Sequence, residues 1–173
     1  MALFSTIFFA AAAAVAVTSG DAPDIRPDVS PSNTPAAVWA ENNRARLDRL
    51  TAPEALRQVL ESDKTAEALL TRVAGDGKAS DPFVLVQIGA VTQFVMVPGA
   101  PTAHRARWTQ ALMRAVQRTS DEAYRPLFYL DQLRWCARSE QLPELRRLKA
   151  EATRRAVRDM AAIVIGEITH ERH

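Results

Sequence analysis

The sequence predicts an all-α domain built from antiparallel helical hairpins. Between residues 102 and 168, apolar side chains recur three and four positions apart, which is the spacing of helices that bury one face. The segments that separate these stripes are only a few residues long, so consecutive helices must pack as antiparallel neighbours. The chain contains only six glycines among 173 residues, which argues against a loop-rich all-β fold.

Four helices are predicted in the amino-terminal part of this domain. Pro35 opens the first, and Thr51 with Glu54 forms a capping box for the second. Asp81 caps the fourth, whose side chains are apolar nearly all round, so it must be covered on several sides and lie at the centre of the domain. The predicted helices span residues 35–50, 54–61, 63–73 and 83–96.

Four further helices are predicted at residues 105–118, 122–137, 140–149 and 152–168. In the first of these, Trp108, Leu112 and Val116 lie on one face and arginines lie on the other. The prediction is therefore a single helical domain of about seven or eight helices over residues 35–168, followed by a short tail at residues 169–173.

Three short motifs in this second group resemble HEAT and HEAT-like repeats, which are armadillo-type α-solenoids. They are the Leu-Pro-Glu-Leu start at residues 142–145, Val157-Arg158 at a helix start, and Ile-Gly-Glu-Ile at residues 165–168. The resemblance implies a short stack of hairpins, HEAT-like from about residue 82, and the role that most such proteins have, which is that of an interaction scaffold. It carries over no functional residue.

The amino terminus predicts export. Residues 1–19 are almost wholly apolar and offer an Ala-x-Ala cleavage site at Ala14 to Ala16, as in a secretory signal peptide. The alternative is an uncleaved membrane anchor. Residues 20–34 are rich in proline and predict a linker. The domain would then be periplasmic or extracellular, where nucleic acid is not an expected partner, and would contact a membrane only if the amino-terminal segment is retained.

The charge distribution would steer an acidic partner to the carboxyl-terminal part of the chain, although an arginine-rich helix surface is more simply a solvated face. Residues 1–100 hold 8 Lys and Arg against 11 Asp and Glu, whereas residues 101–173 hold 14 against 9. If the HEAT resemblance holds, two helices line the inner curve of the solenoid and present a common strip to an acidic protein surface or an anionic glycan. The predicted strip consists of Arg107, Gln110, Arg114, Arg118, Glu144 and Arg147.

No catalytic, cofactor or metal signature stands out. Cys136 is the sole cysteine and lies on an apolar stripe, which predicts a core residue. The favoured function is a non-catalytic interaction or scaffold module of the cell envelope. The alternative is an enzyme or small-ligand carrier with a pocket at Asp131, Gln132 and Trp135, although Asp131 would more simply pair with Arg134 and Gln132 would more simply bond a loop backbone.

The last predicted helix is apolar on every side between Met160 and Ile165, yet no polar capping element follows it. Ile163 or Ile165 should therefore either be covered by the amino-terminal helices or pair with another chain. The second outcome predicts self-association through the carboxyl-terminal helix.

Overall fold

The computed structural model describes residues 35–170, and within that range it contains nine α-helices, one 3-10 turn and no strand. The all-α prediction is confirmed. The helices are α1 Pro35–Asn42, α2 Arg44–Thr51, α3 Pro53–Val59, α4 Asp63–Leu70, α5 Pro82–Met96, α6 Thr102–Arg118, α7 Arg125–Cys136, α8 Leu142–Glu151 and α9 Arg155–His170. The 3-10 turn, Ser139–Gln141, precedes α8.

Two predictions near the amino end are wrong. The helix predicted at residues 35–50 is two helices that break at Asn43, whose side-chain amide donates to the Trp39 carbonyl. Thr51 cannot cap the next helix because it is still the last residue of α2, and α3 begins after Ala52 without a side-chain cap. A capping box does occur one helix later, where the Ser62 and Thr65 side chains bond each other's backbone N–H groups.

The chain divides into two units, residues 1–49 and residues 50–173. In the first unit, α1 contains no buried residue, and Val38 is 48% exposed. The second unit contains α3 to α9 and the hydrophobic core. Every helix from α3 to α9 contributes to that core, so the domain that carries the surfaces described below is this second unit.

Side-chain contacts fix the relative directions of the helices in the second unit. Along α5 and α6, Val95 contacts Arg105 and Thr92 contacts Trp108, so these helices run antiparallel. Asp121, just before α7, contacts Thr153, just before α9, and the ends of α7 and α9 are joined by an Arg134–Glu167 pair. Helices α7 and α9 therefore run parallel, and α8 carries the chain back between them.

Helix α5 is central, as its composition predicts. Its extensive contacts are with α3, α4, α6 and α7, and its buried residues occupy most of its circumference, from Phe83 to Val95. Asp81 caps it through a 2.9 Å hydrogen bond from the Phe83 N–H, as predicted. A helix without a polar face is stable only under such cover.

One buried hydroxyl connects α5, α6 and α7. Thr92 accepts a 3.0 Å hydrogen bond from the indole N–H of Trp108 and lies 3.0 Å from the amide oxygen of Gln132. All three residues are at most 8% exposed. Because buried polar groups are costly when unpaired, this triad favours one register of the three helices.

The extensive contacts within residues 50–170 join helices that are one or two apart in chain order. That pattern agrees with what stacked hairpins require. The HEAT-like solenoid itself stays a prediction.

No helix in residues 35–170 combines the length and the apolar character needed to cross a bilayer. The predicted signal peptide or anchor at residues 1–19, the linker at residues 20–34 and the last three residues of the predicted tail lie outside the described residues.

We expect Thr92→Val to lower the free energy of unfolding by about 1–3 kcal/mol, because it leaves the Trp108 indole N–H buried without an acceptor. The matched control is Thr109→Val. Thr109 is equally buried, but its hydroxyl bonds only carbonyls of its own helix, so the loss should stay below about 1 kcal/mol. Urea denaturation followed by circular dichroism measures both losses. Equal losses for the two variants would show that the hydrogen bonds between the three helices add no stability of their own.

Candidate functional site

An open cleft of about 560 Å³ lies where α5, α7 and α9 end. Thr92 and Gln132 are in contact, and Met96 and Trp135, each about one turn further along, line the same cleft, so α5 runs parallel to α7. Since α9 is also parallel to α7, three carboxyl-terminal helix ends meet at one side of the domain. The cleft is lined by Met96, Arg134, Trp135, Glu167 and His170.

Arg134 organises the polar wall of this cleft. Its guanidinium donates to both carboxylate oxygens of Glu167, at 2.6 to 3.1 Å, and lies 3.4 Å from Asp131. It also lies 6.0 Å from the centre of the Trp135 ring. Two carboxylates hold the guanidinium in place, so the position of Arg134 in the wall is set before any partner binds.

Trp135 is 58% exposed and is the most exposed large apolar side chain among the described residues. Val97, which follows Met96, and Ile163, one turn before Glu167, are each 49% exposed. Of these three residues, only Trp135 lines the cleft. An exposed tryptophan at a cleft is a candidate contact residue, because tryptophan is enriched at protein interfaces.

The residues predicted for a small-ligand pocket do not share one enclosed cavity. Gln132 is buried against Thr92, whereas Asp131 is about half exposed and Trp135 lies in the open cleft. The expected Asp131–Arg134 pair is confirmed at 3.4 Å. The expected bond from Gln132 to a loop backbone is wrong, because its amide oxygen meets the Thr92 hydroxyl of another helix.

Three arginines of the predicted strip pair with carboxylates of α4. Asp63 lies 3.2 Å from Arg107 and 2.9 Å from Arg114. Glu67 lies 2.8 Å from Arg114 and 2.9 Å from Arg118. Arg107 also donates to the Leu60 carbonyl. These arginines hold α4 against α6, so an acidic partner at this surface would compete with carboxylates of the same chain.

Gln110 is exposed on α6 and lies on the same helix face as Arg107, Arg114 and Arg118. Glu144 and Arg147 lie elsewhere and line a second, smaller cleft of about 270 Å³ together with Gln117. Arg147 is 3.9 Å from Glu151 within α8. The strip therefore contains two separate surfaces, and its role in binding stays a prediction.

Cys136 is confirmed as a core residue. It is fully buried, and burial raises the pKa of its thiol to about 12, so the reactive thiolate is suppressed. Among residues 35–170, no group of three or more His, Cys, Asp or Glu side chains has the geometry to hold a metal ion.

Sequence reasoning found Trp135 but not the cleft around it. Met96, Glu167 and His170 come from the last turns of two other helices, and no sequence motif links them to Trp135. The available signal was that Trp135 falls off the stripe formed by Leu130, Leu133 and Ala137, which are buried. A tryptophan on the exposed side of an amphipathic helix indicates a contact surface.

No protein-family model matches the sequence, and no curated protein or solved structure matches it.

The ion pairs between α4 and α6 predict a pH dependence of stability. The Arg114 guanidinium, followed by Arg107, holds the pKa of Asp63 below its ordinary value of 3.8 in the folded chain. A carboxyl group with a lowered folded-state pKa stabilises the fold above its unfolded pKa, and that contribution disappears as the pH falls through the lowered value.

We therefore expect Asp63→Asn to be less stable than the wild type at pH 7, and the difference to shrink below about pH 4. The control is Glu54→Gln, which removes an exposed pair with Arg57 inside α3 and should change stability little at any pH. Thermal unfolding at several pH values measures both variants. A difference for Asp63→Asn that persists undiminished at low pH would contradict the assignment.

Proposed function

We propose that this protein is a non-catalytic protein-interaction module whose binding surface is the cleft at the ends of α5, α7 and α9. The observation that carries the proposal is the exposed Trp135 ring on the wall of an open cleft. Tryptophan and arginine are enriched among residues that dominate binding energy, and they do so where a partner can exclude water from them.

The wall of the cleft supports this function in a second way. Arg134 is held by Glu167 and Asp131, so it loses little freedom when a partner binds. The cleft is open and Met96 contributes an apolar side chain to its lining, which suits the side chain of a protein partner better than a substrate that must be enclosed.

The setting that we propose is the cell envelope. This part of the proposal rests on the apolar run and the Ala-x-Ala site in residues 1–19, and on the proline-rich residues 20–34, which would hold the domain away from a membrane or a cleavage site. The HEAT-like architecture is part of the same proposal and is supported by the contacts between helices one or two apart.

Site-specific photo-crosslinking in the cells that produce the protein tests this function. A benzophenone amino acid at position 135 should give one discrete adduct, whereas the same group at the exposed Lys149 should give none. A third position, Gln110, samples the arginine strip. An adduct from Gln110 alone would move the partner to that strip and overturn the cleft, and no adduct from either position would contradict an interaction module.

For the partner identified by such an adduct, Trp135→Ala should weaken binding by at least about 30-fold, the effect of losing a central aromatic anchor. The free energy of unfolding should change by less than about 0.5 kcal/mol, because the side chain is mostly exposed. Isothermal titration calorimetry and urea denaturation measure the two quantities. A loss of binding that only follows a loss of stability would contradict the role assigned to Trp135.

A further inference from the structure

One face of α5 is incompletely covered and leads into the cleft. The half-buried residues of this helix recur three and four positions apart, as residues on one side of a helix do. They are Leu85, Val86, Gly89, Gln93 and Met96, and together they are called the α5 face below. At a rise of about 1.5 Å per residue, this face is roughly 16 Å long. It ends in the cleft, because Met96 is part of the cleft lining.

The α5 face carries no charge. Helix α5 contains no Asp, Glu, Lys or Arg over its fifteen residues, and Gln93 is the one polar side chain on the face. Gly89 lies at the middle of the face, and a Cβ atom at this position would meet nothing within 4 Å. The face therefore offers apolar contact with open space at its centre, and it offers no counter-charge to a charged group.

The charged residues of the cleft are paired within the chain. Arg134 and Glu167 line the cleft and pair with each other at 2.6 Å, and Asp131 lies 3.4 Å from the same guanidinium. An acidic group of a partner would have to displace one of these carboxylates from Arg134. A cationic group would compete with Arg134 for the same carboxylates.

The helix ends at the cleft also have partners in the chain. Carboxyl-terminal helix ends carry a partial negative charge of about half a unit each. Arg105 donates to the Val95 carbonyl in the last turn of α5, and Arg138 donates to the Ala137 carbonyl, which follows α7. Together with Arg134, these arginines offset the two carboxylates and the helix ends, so neither sign of charge is in large excess among these groups.

We propose that the partner of the cleft presents an uncharged, apolar segment that lies along the α5 face and places an apolar side chain against the Trp135 ring. The inference rests on the interaction function proposed above and adds the chemistry of the partner. An apolar segment gains free energy by leaving water at these two surfaces. A charged segment would lose its hydration without meeting an unpaired counter-charge. The arginine strip on α6 was expected to take an acidic partner, so the two surfaces differ in the chemistry they bind.

Photo-crosslinking at position 86 separates this inference from the proposed function. A benzophenone amino acid at Val86, on the α5 face, should give the same adduct that the group gives at position 135. An adduct from position 135 without one from position 86 would overturn the path along α5 and leave the function intact. An absence of adducts from both positions would contradict both. An adduct with the mass of two chains would identify a second copy as the occupant and overturn the proposal.

Gly89→Glu and Gly89→Gln form a matched pair, because the two side chains have nearly the same size and differ in charge. Both variants should fold, since the site is open and both residues favour a helix over glycine. For the partner captured at position 135, the glutamate variant should bind at least about tenfold more weakly than the glutamine variant. Equal affinities of the two variants would overturn the proposal.

The salt dependence of the same binding is a second measurement. The affinity of the wild-type chain should change by less than about threefold between about 50 mM and about 500 mM salt, because no charge pair forms across the contact. A steep loss of affinity at high salt would show that charged groups of the partner are recognised, and it would overturn the uncharged segment.

Capped amino acids test the chemistry of the cleft without the partner. N-acetyl-leucine amide, N-acetyl-glutamate amide and N-acetyl-lysine amide are titrated into the full chain at pH 8, where histidines are ordinarily neutral. Nuclear magnetic resonance follows the indole N–H signal of Trp135, which Trp135→Phe assigns. The leucine probe should shift this signal at least about threefold more than either charged probe at the same concentration. A larger shift with the glutamate or the lysine probe would overturn the proposal.

Discussion

The stability of the domain depends on the burial of α5, because this helix has almost no polar face that could contact solvent. Four neighbouring helices cover it, and the buried Thr92 hydroxyl joins two of them to it through Trp108 and Gln132. The apolar contacts supply the driving force but are non-directional. The Thr92 hydroxyl is directional: it accepts from the Trp108 indole N–H and lies within donating distance of Gln132 and of the Ile88 carbonyl in its own helix. The combination explains how a chain with degenerate helical stripes adopts a defined register of α5, α6 and α7.

This register also positions the cleft. Because Thr92 meets Gln132, the residues one turn further along α5 and α7, Met96 and Trp135, end at the same level. The Arg134–Glu167 pair then brings the end of α9 to that level. An interaction in the core thereby determines which side chains meet on the surface about one helical turn away, and the candidate site follows from the packing of three parallel helices.

The all-α class, the central place of α5 and the burial of Cys136 were predictable, because each depends on local composition and on the helical period of apolar residues. The capping residues were less predictable, since the Thr51–Glu54 spacing is typical of a helix start, whereas Thr51 is the last residue of α2. The helix break at Asn43 depends on a bond from its side chain to a carbonyl of the preceding helix, which a stripe pattern does not report.

The carboxylates that pair with the arginines could not be predicted from the helical period of the sequence. The stripe of Arg107, Arg114 and Arg118 was visible in the sequence, but Asp63 and Glu67 lie about 40 to 50 positions earlier, and only the packing of α4 on α6 brings the two sets together. The basic face of α6, which was predicted to bind an acidic partner, is thus already paired with carboxylates of the same chain. Trp135 was singled out in the sequence, but the residues that line the cleft with it were not. Glu167 and His170 lie at this cleft only because α9 runs parallel to α7.

Native-state hydrogen exchange tests the central claim most directly. If α5 is the helix on which the fold depends, its amide protons between Val84 and Val95 exchange only when the whole domain unfolds. Their exchange free energies then equal the global value from denaturant unfolding. Exchange from α5 through a smaller, local opening, while α8 or α9 stays protected, would contradict the account.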